Sequence, residues 1–171
     1  AWGNPIVTTL PPTDGRHPVT RFPHLPLPED TTPVDRVDVG YVSGVFDMSH
    51  VGHLRLIRRA RERCELLVVG VLSDSESIVS KGRPTVIPES ERLEIVSALS
   101  GVDEVILDPS LDKRVVWRMR RFDVLFKGDD WRGTERGRRL EEQLATVGAR
   151  VEYFPYTAHT SSSALRRHLE G

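Results

Sequence analysis

A single α/β domain is predicted over residues 37–171, with a five-stranded parallel sheet and helices on both faces, behind a proline-rich segment at 1–36. Three observations predict it. From Val37 onward, short apolar runs alternate with longer charged segments of helical periodicity. Strands separated by helices form right-handed βαβ units, and those build a parallel sheet. The chain has 171 residues, 38% of them hydrophobic, enough for one respectable core.

Taken in order, residues 1–36 contain Pro5, Pro11, Pro12, Pro18, Pro23, Pro26, Pro28 and Pro33, which favour extended chain. A tail or linker is the plain reading. Trp2, Ile6, Val7, Leu10, Phe22 and Leu25 leave open an arm that wraps the domain or a partner. The run Val37 to Phe46 reads as a buried first strand. Ser49 is a fair N-cap for a helix whose stripe is Leu54, Ile57, Ala60 and Cys64. Glu65 to Leu72 is a second strand, and Ser73 to Ser80 a short helix. A loop follows from Lys81 to Pro88, then a helix from Glu89 to about Ser100 with Leu93, Val96 and Leu99 facing inward. Glu104 to Leu107 is the third strand, Val115 to Phe122 a helix, and Val124 to Phe126 the fourth strand, running straight into Lys127-Gly128-Asp129-Asp130-Trp131. A charged helix from about Glu135 to Thr146 ends at Gly148, a plausible C-cap. Val151 to Phe154 is the fifth strand, and Ser161 to Leu169 the closing helix.

Composition narrows the function classes. Net charge is −1 with both signs well mixed, so there is no broad nucleic-acid footprint. Cys64 is the only cysteine, which rules out an internal disulfide and fits a reducing cytoplasm. No run is long or apolar enough for membrane insertion. The chain begins with Ala, consistent with processing or with excision from a longer protein.

Ligands of parallel sheets sit at the C-terminal ends of the strands. The first strand ends in Gly44-Val45-Phe46-Asp47-Met48-Ser49-His50-Val51-Gly52-His53, where a turn opens a helix. Free amides and the helix dipole favour an anion there, and Gly44 and Gly52 allow close approach. His50 and His53 share a helix face and point to stabilisation of charge developing on a phosphate. Two alternatives stand beside this: a pair of metal ligands, for which no further cluster completes a shell, and two ordinary solvated histidines.

As a composed unit, SGVFDMSHVGH resembles the GxFDxxHxGH signature of cytidylyltransferases in the HxGH nucleotidyltransferase superfamily. KGRPTVIPESER, VDEVI (102–106), KGDDW (127–131) and YTAHTSSS (156–163) resemble further motifs of that family, in the right order. The subgroup most resembled is the glycerol-3-phosphate cytidylyltransferases. The resemblance implies a Rossmann-like domain that transfers CMP from CTP to glycerol 3-phosphate, giving CDP-glycerol for teichoic-acid-type polymer synthesis, and pyrophosphate. It implies Mg²⁺, bound mainly through the triphosphate, and a homodimer. His50, His53 and Lys81 would be catalytic. Nucleotide contacts would come from Val45, Phe46, Gly52, Arg92, Lys127, Gly128, Asp129, Asp130, Trp131, Tyr156, Thr157, Thr160, Ser161 and Ser162. Asp47, Lys113 and Arg114 would meet the acceptor. Lys81 has a surface-lysine alternative, and Arg92 could instead pair with Glu89 or Glu91. Asp129 and Asp130 could bind ribose, cap a helix or help place metal, and Trp131 could be core. Ser161 to Ser163 offer a second phosphate nest or an ordinary N-cap. The chain departs from the family at Tyr156, where an arginine is usual, and at His159-Thr160, where Gly-Ile is usual. Both departures bear on acceptor and base choice. Rival readings are another phosphorylated alcohol or phosphonate, ATP in place of CTP, an inactive nucleotide-binding regulatory module, and the transferase part of a bifunctional chain.

Overall fold

The computed structural model describes residues 36–155, 162 and 165–167. Almost all of the proline-rich segment, and Tyr156, Thr157, Thr160 and Ser161, lie outside the described residues. The elements run β1 (Val37–Gly44), α1 (Val51–Glu62), β2 (Cys64–Leu72), α2 (Asp74–Lys81), α3 (Glu89–Ser97), β3 (Glu104–Asp108), α4 (Lys113–Met119), β4 (Val124–Gly128), a 3-10 turn (Asp129–Trp131), α5 (Glu135–Ala145) and β5 (Arg150–Phe154). Ser162 and residues 165–167 are helical.

All five strands are parallel, in the order β3-β2-β1-β4-β5. The chain winds outward from β1 to β3, then returns to β4 on the other side of β1. That reversal opens a crevice above the C-terminal ends of β1 and β4. Two apolar layers hold the helices on. On one face Val42, Val69 and Phe126 pack with Ile57 and Ala60 of α1, Val96 of α3 and Phe154. On the other, Tyr41, Val68 and Leu125 pack with Val116 of α4 and Leu140 and Leu144 of α5. The parallel strands are covered on both faces, which is why β1 and β2 read as nearly unbroken apolar runs.

Several boundaries differ from expectation. Strand β1 stops at Gly44, because Phe46 (φ 57°) and Met48 (φ 50°) take left-handed backbone that turns the chain out of the sheet. The N-cap of α1 is His50 rather than Ser49, whose hydroxyl donates to the Phe46 carbonyl at 3.0 Å. Leu54 is 43% exposed, and Cys64 opens β2 instead of closing the helix stripe. Lys81 is the last residue of α2 rather than the first of a loop, and Gly82 (φ 70°) ends that helix.

Candidate active site

The crevice at the reversal of strand order is a cleft of about 590 Å³. Its floor is the end of β1 and the turn after it (Ser43 to Asp47) with the end of β4 (Lys127, Gly128), and one wall is α1 with Gly52 and His53. Lys81 and Arg83 come from the α2 end, Lys113 from the start of α4, Asp130 and Trp131 from the turn after β4, and Arg136 and Arg139 from α5. Cations outnumber carboxylates along these walls, as a polyphosphate ligand requires.

The two histidines are fixed by the helix they begin. His50 Nδ1 accepts from the Gly52 amide (3.1 Å), and His53 Nδ1 accepts from the His50 amide (3.3 Å), a reciprocal capping box. A neutral imidazole whose Nδ1 accepts carries its proton on Nε2. Both rings therefore offer an N–H donor, and they lie tilted by 36° with centroids 4.0 Å apart. Burial lowers the His50 pKa. Burial, followed by the charges of His50, Lys81 and Lys127, pushes His53 down to about 3. Phe46 packs against the His53 ring at 5.1 Å between centroids.

Lys127 donates to the Ser43 carbonyl (2.9 Å) and lies 4.4 Å from the Trp131 ring centre. Burial, and secondarily the charge of Lys113, lowers its pKa to about 8. Lys113 donates to Asp108 (2.5 Å) and to the Ser110 carbonyl (2.7 Å); burial outweighs the carboxylate and lowers its pKa. Val45, Phe46, Gly52, Gly128, Asp130, Trp131 and Ser162 also line the cleft.

Some expected ligands are spent elsewhere. Arg92 was expected at a phosphate or paired with Glu89 or Glu91. It is fully buried instead. Its guanidinium donates to the carbonyls of Val45 (2.5 Å), Leu72 (2.8 Å) and Ile87 (2.9 Å) and to Asp74 (2.6 Å), so it ties the β1 turn to β2, α2 and α3. Asp47, expected at the acceptor, accepts from the Val86 and Ile87 amides and from Arg166 (2.9 Å). It fastens the 82–88 loop and Arg166 to the histidine turn. Arg114 lies outside the cleft lining and closes on Asp112 at 2.6 Å. Asp129 is also absent from the lining. Residues that motif reading passed over stand in the walls: Arg55 and Arg59 on α1, Arg136 and Arg139 on α5, and Arg166. Helical spacing was the available signal, since positions 55 and 59 share a face of α1 and positions 136, 139 and 143 a face of α5.

The cytidylyltransferase-like family profile matches residues 41–168. An ethanolamine-phosphate cytidylyltransferase of Arabidopsis thaliana is 52% identical over 68 residues, which is 40% of this chain and 16% of that protein. The bifunctional protein HldE of Hyphomonas neptunium is 39% identical over 158 residues, 86% of this chain and 31% of that protein. This chain thus spans less than a third of either relative. An FAD synthase of Pyrococcus abyssi is 34% identical over 112 residues, covering 65% of this chain and 74% of the enzyme. Among solved structures, a lipopolysaccharide core biosynthesis protein of Thermoplasma volcanium superposes with a TM-score of 0.60 at 25% identity, over 72% of this chain and 98% of that one. The matched span runs from the middle of β1 through the histidine turn, the Lys81 region and the β4 end, so the elements that build the cleft are those the family shares, and the chain belongs to the cytidylyltransferase-like family.

Proposed function

We propose that this chain is a nucleotidyltransferase that moves CMP from CTP onto the phosphate of a small phosphorylated alcohol, with glycerol 3-phosphate as the first candidate. The observation that supports it best is the pair of capped imidazoles, each with Nε2 as its donor, at the centre of a cation-lined cleft. An acceptor phosphate oxygen attacks the α-phosphorus of CTP. The bond to the bridging oxygen breaks, and pyrophosphate leaves with the electron pair. Such chemistry depends on positioning and charge neutralisation more than on covalent catalysis. His50 and His53 donate to the α-phosphate and the bridging oxygen as charge builds there. Lys81 and Lys127 neutralise the triphosphate, and Trp131 covers the nucleoside.

Mg²⁺ would enter as a companion of the triphosphate, and Asp130, the lining carboxylate of the turn after β4, is the side chain placed to meet it. When bound, the ion would shield the phosphate oxygens. The choice of CTP and a phosphorylated alcohol is supported by the motif resemblance and by the name of the Arabidopsis relative; glycerol rests on the motifs alone.

The test is pyrophosphate release with Mg²⁺, crossing CTP and ATP against glycerol 3-phosphate, phosphoethanolamine, phosphocholine and a phosphonate. Release with CTP and glycerol 3-phosphate is expected. Release with another pair keeps the mechanism and replaces the substrate. Nucleotide binding with no release for any pair overturns the proposal.

A further inference from the structure

Asp108, the last residue of β3, is fully buried. One of its oxygens, Oδ2, accepts from Tyr41 (2.8 Å), Ser43 (2.7 Å) and Lys113 (2.5 Å), while Oδ1 accepts from the Ser110 amide (3.2 Å). Tyr41 and Ser43 stand on β1, so their hydroxyls must pass over β2 to reach it. Gly70 makes the passage: a Cβ there would lie 1.7 Å from the Tyr41 hydroxyl oxygen. A buried carboxylate is costly unless it is both paired and hydrogen-bonded. Here that cost is offset by two hydroxyls from β1 and the Lys113 ammonium from α4, all converging on one carboxylate.

Lys113 is 6% exposed and still lines the cleft. Two of its three N–H groups go to Asp108 and the Ser110 carbonyl, which leaves one. The strand order puts Lys113 on the β3 side of the histidine turn, and Lys127, Asp130 and Trp131 on the β4–β5 side. A nucleotide laid along the β4 side with its α-phosphate at His50 and His53 leaves the β3 side for the attacking phosphate.

We infer that Asp108 is a positioning residue, which together with Tyr41 and Ser43 holds the Lys113 ammonium charged and aimed at the acceptor's phosphate. The inference rests on the proposed nucleotidyl transfer. Other charges also face Lys113, namely the carboxylates of Glu76 and Asp112 and the ammonium of Lys127. None is hydrogen-bonded to its ammonium, so Asp108 is the side chain whose loss would release it.

The experiment compares wild type, Asp108→Asn, Lys113→Met and the double variant by steady-state kinetics and thermal melting. Each single variant is expected to raise the KM for glycerol 3-phosphate about tenfold or more, as loss of a charged hydrogen bond does, with the CTP KM within about twofold. The double variant should be no worse than the singles, because both remove the same contact. The acceptor KM of Asp108→Asn should also begin its rise at lower pH than in wild type, since its lysine has lost its counter-charge. A lowered melting temperature with unchanged acceptor KM would make Asp108 purely structural. A rise in the CTP KM instead would assign Lys113 to the nucleotide. Either outcome overturns the inference. Should Asp108→Asn fail to fold, Ser43→Ala and Tyr41→Phe each remove one donor from the same oxygen. Unchanged acceptor KM in both would then overturn it. Failure of the transfer reading looks different: wild type releases no pyrophosphate with any acceptor. The inference is then read from the melting shift with glycerol 3-phosphate, which supports it if lost in Asp108→Asn and overturns it if absent in wild type.

Discussion

His50 has two separable tasks. As the N-cap of α1 it accepts from the Gly52 amide, and in the proposed transfer it would offer Nε2–H to a phosphate. His50→Ala removes both, lowering stability by about 1 kcal/mol as cap losses do. It should also lower turnover by about 10²-fold or more. His50→Asn keeps an oxygen that can cap, so denaturation midpoints should recover while turnover does not. Turnover at wild-type level in His50→Asn would remove the imidazole from the chemistry.

His53 carries a pH signature. It is neutral in the fold down to about pH 3, whereas the unfolded chain takes up a proton near 6.5. The unfolded state therefore binds more protons between those values, and stability present above 6.5 falls as pH drops toward 3. At pH 5 the loss is at most about 2 kcal/mol, and His53→Asn should flatten that slope in urea melts. Lys127 acts in the opposite range. Its charge is lost as pH rises through about 8, so triphosphate affinity should weaken there, and calorimetric titration of Lys127→Met should show no such limb. Arg92→Met should cost about 3 kcal/mol or more, because it strips donors from the buried carbonyls of Val45, Leu72 and Ile87.

At the scale of elements, close approaches decide how the sheet carries its site. Gly70 lies in the middle of β2, paired with Ser43 on one side and Ile106 on the other. Gly70→Ala should destabilise by about 1–3 kcal/mol, read by chemical denaturation, because the Tyr41 ring cannot stay where it is. Gly137 has a similar place in α5: a Cβ there would sit 2.1 Å from the Trp131 carbonyl, so the missing side chain lets α5 lie against the turn that presents Trp131. The histidine helix gains its angle from the left-handed residues Phe46 and Met48, which bend the chain sharply from β1 into α1. Asp47, between them, binds two amides of the loop after α2. The strained turn and the loop beyond Lys81 are thereby one mechanical unit.

At the scale of the whole molecule, the reversal of strand order gathers lysines and arginines from α1, α2, α4, α5 and β4 into one cleft. Their summed field, more than any single contact, suits a triphosphate. CTP at about 100 times its Kd should raise stability by about 2.7 kcal/mol, and the shift should shrink as ionic strength rises. Melting curves in low and high salt read both effects.

What the sequence determined by itself was local. Alternating apolar runs and helical stripes gave five strands in order, and the boundaries that moved did so by a few residues, at turns whose backbone depends on packing. The histidine turn was legible because its whole signature lies within one strand–helix junction, and its strand end had to face the ligand side of a parallel sheet. The fates of Arg92, Asp47 and Asp108 were not legible. Arg92 read as a phosphate contact or a partner of Glu89 or Glu91, yet its partner Val45 is 47 positions away; Tyr41 and Asp108 are 67 apart. Which strands become neighbours, and where a glycine leaves room between them, decides whether such a charge is buried and what it binds. Local pattern records a residue's propensity and face, while the partner of a buried polar group is chosen by tertiary packing, since only there does leaving it unpaired carry a large cost.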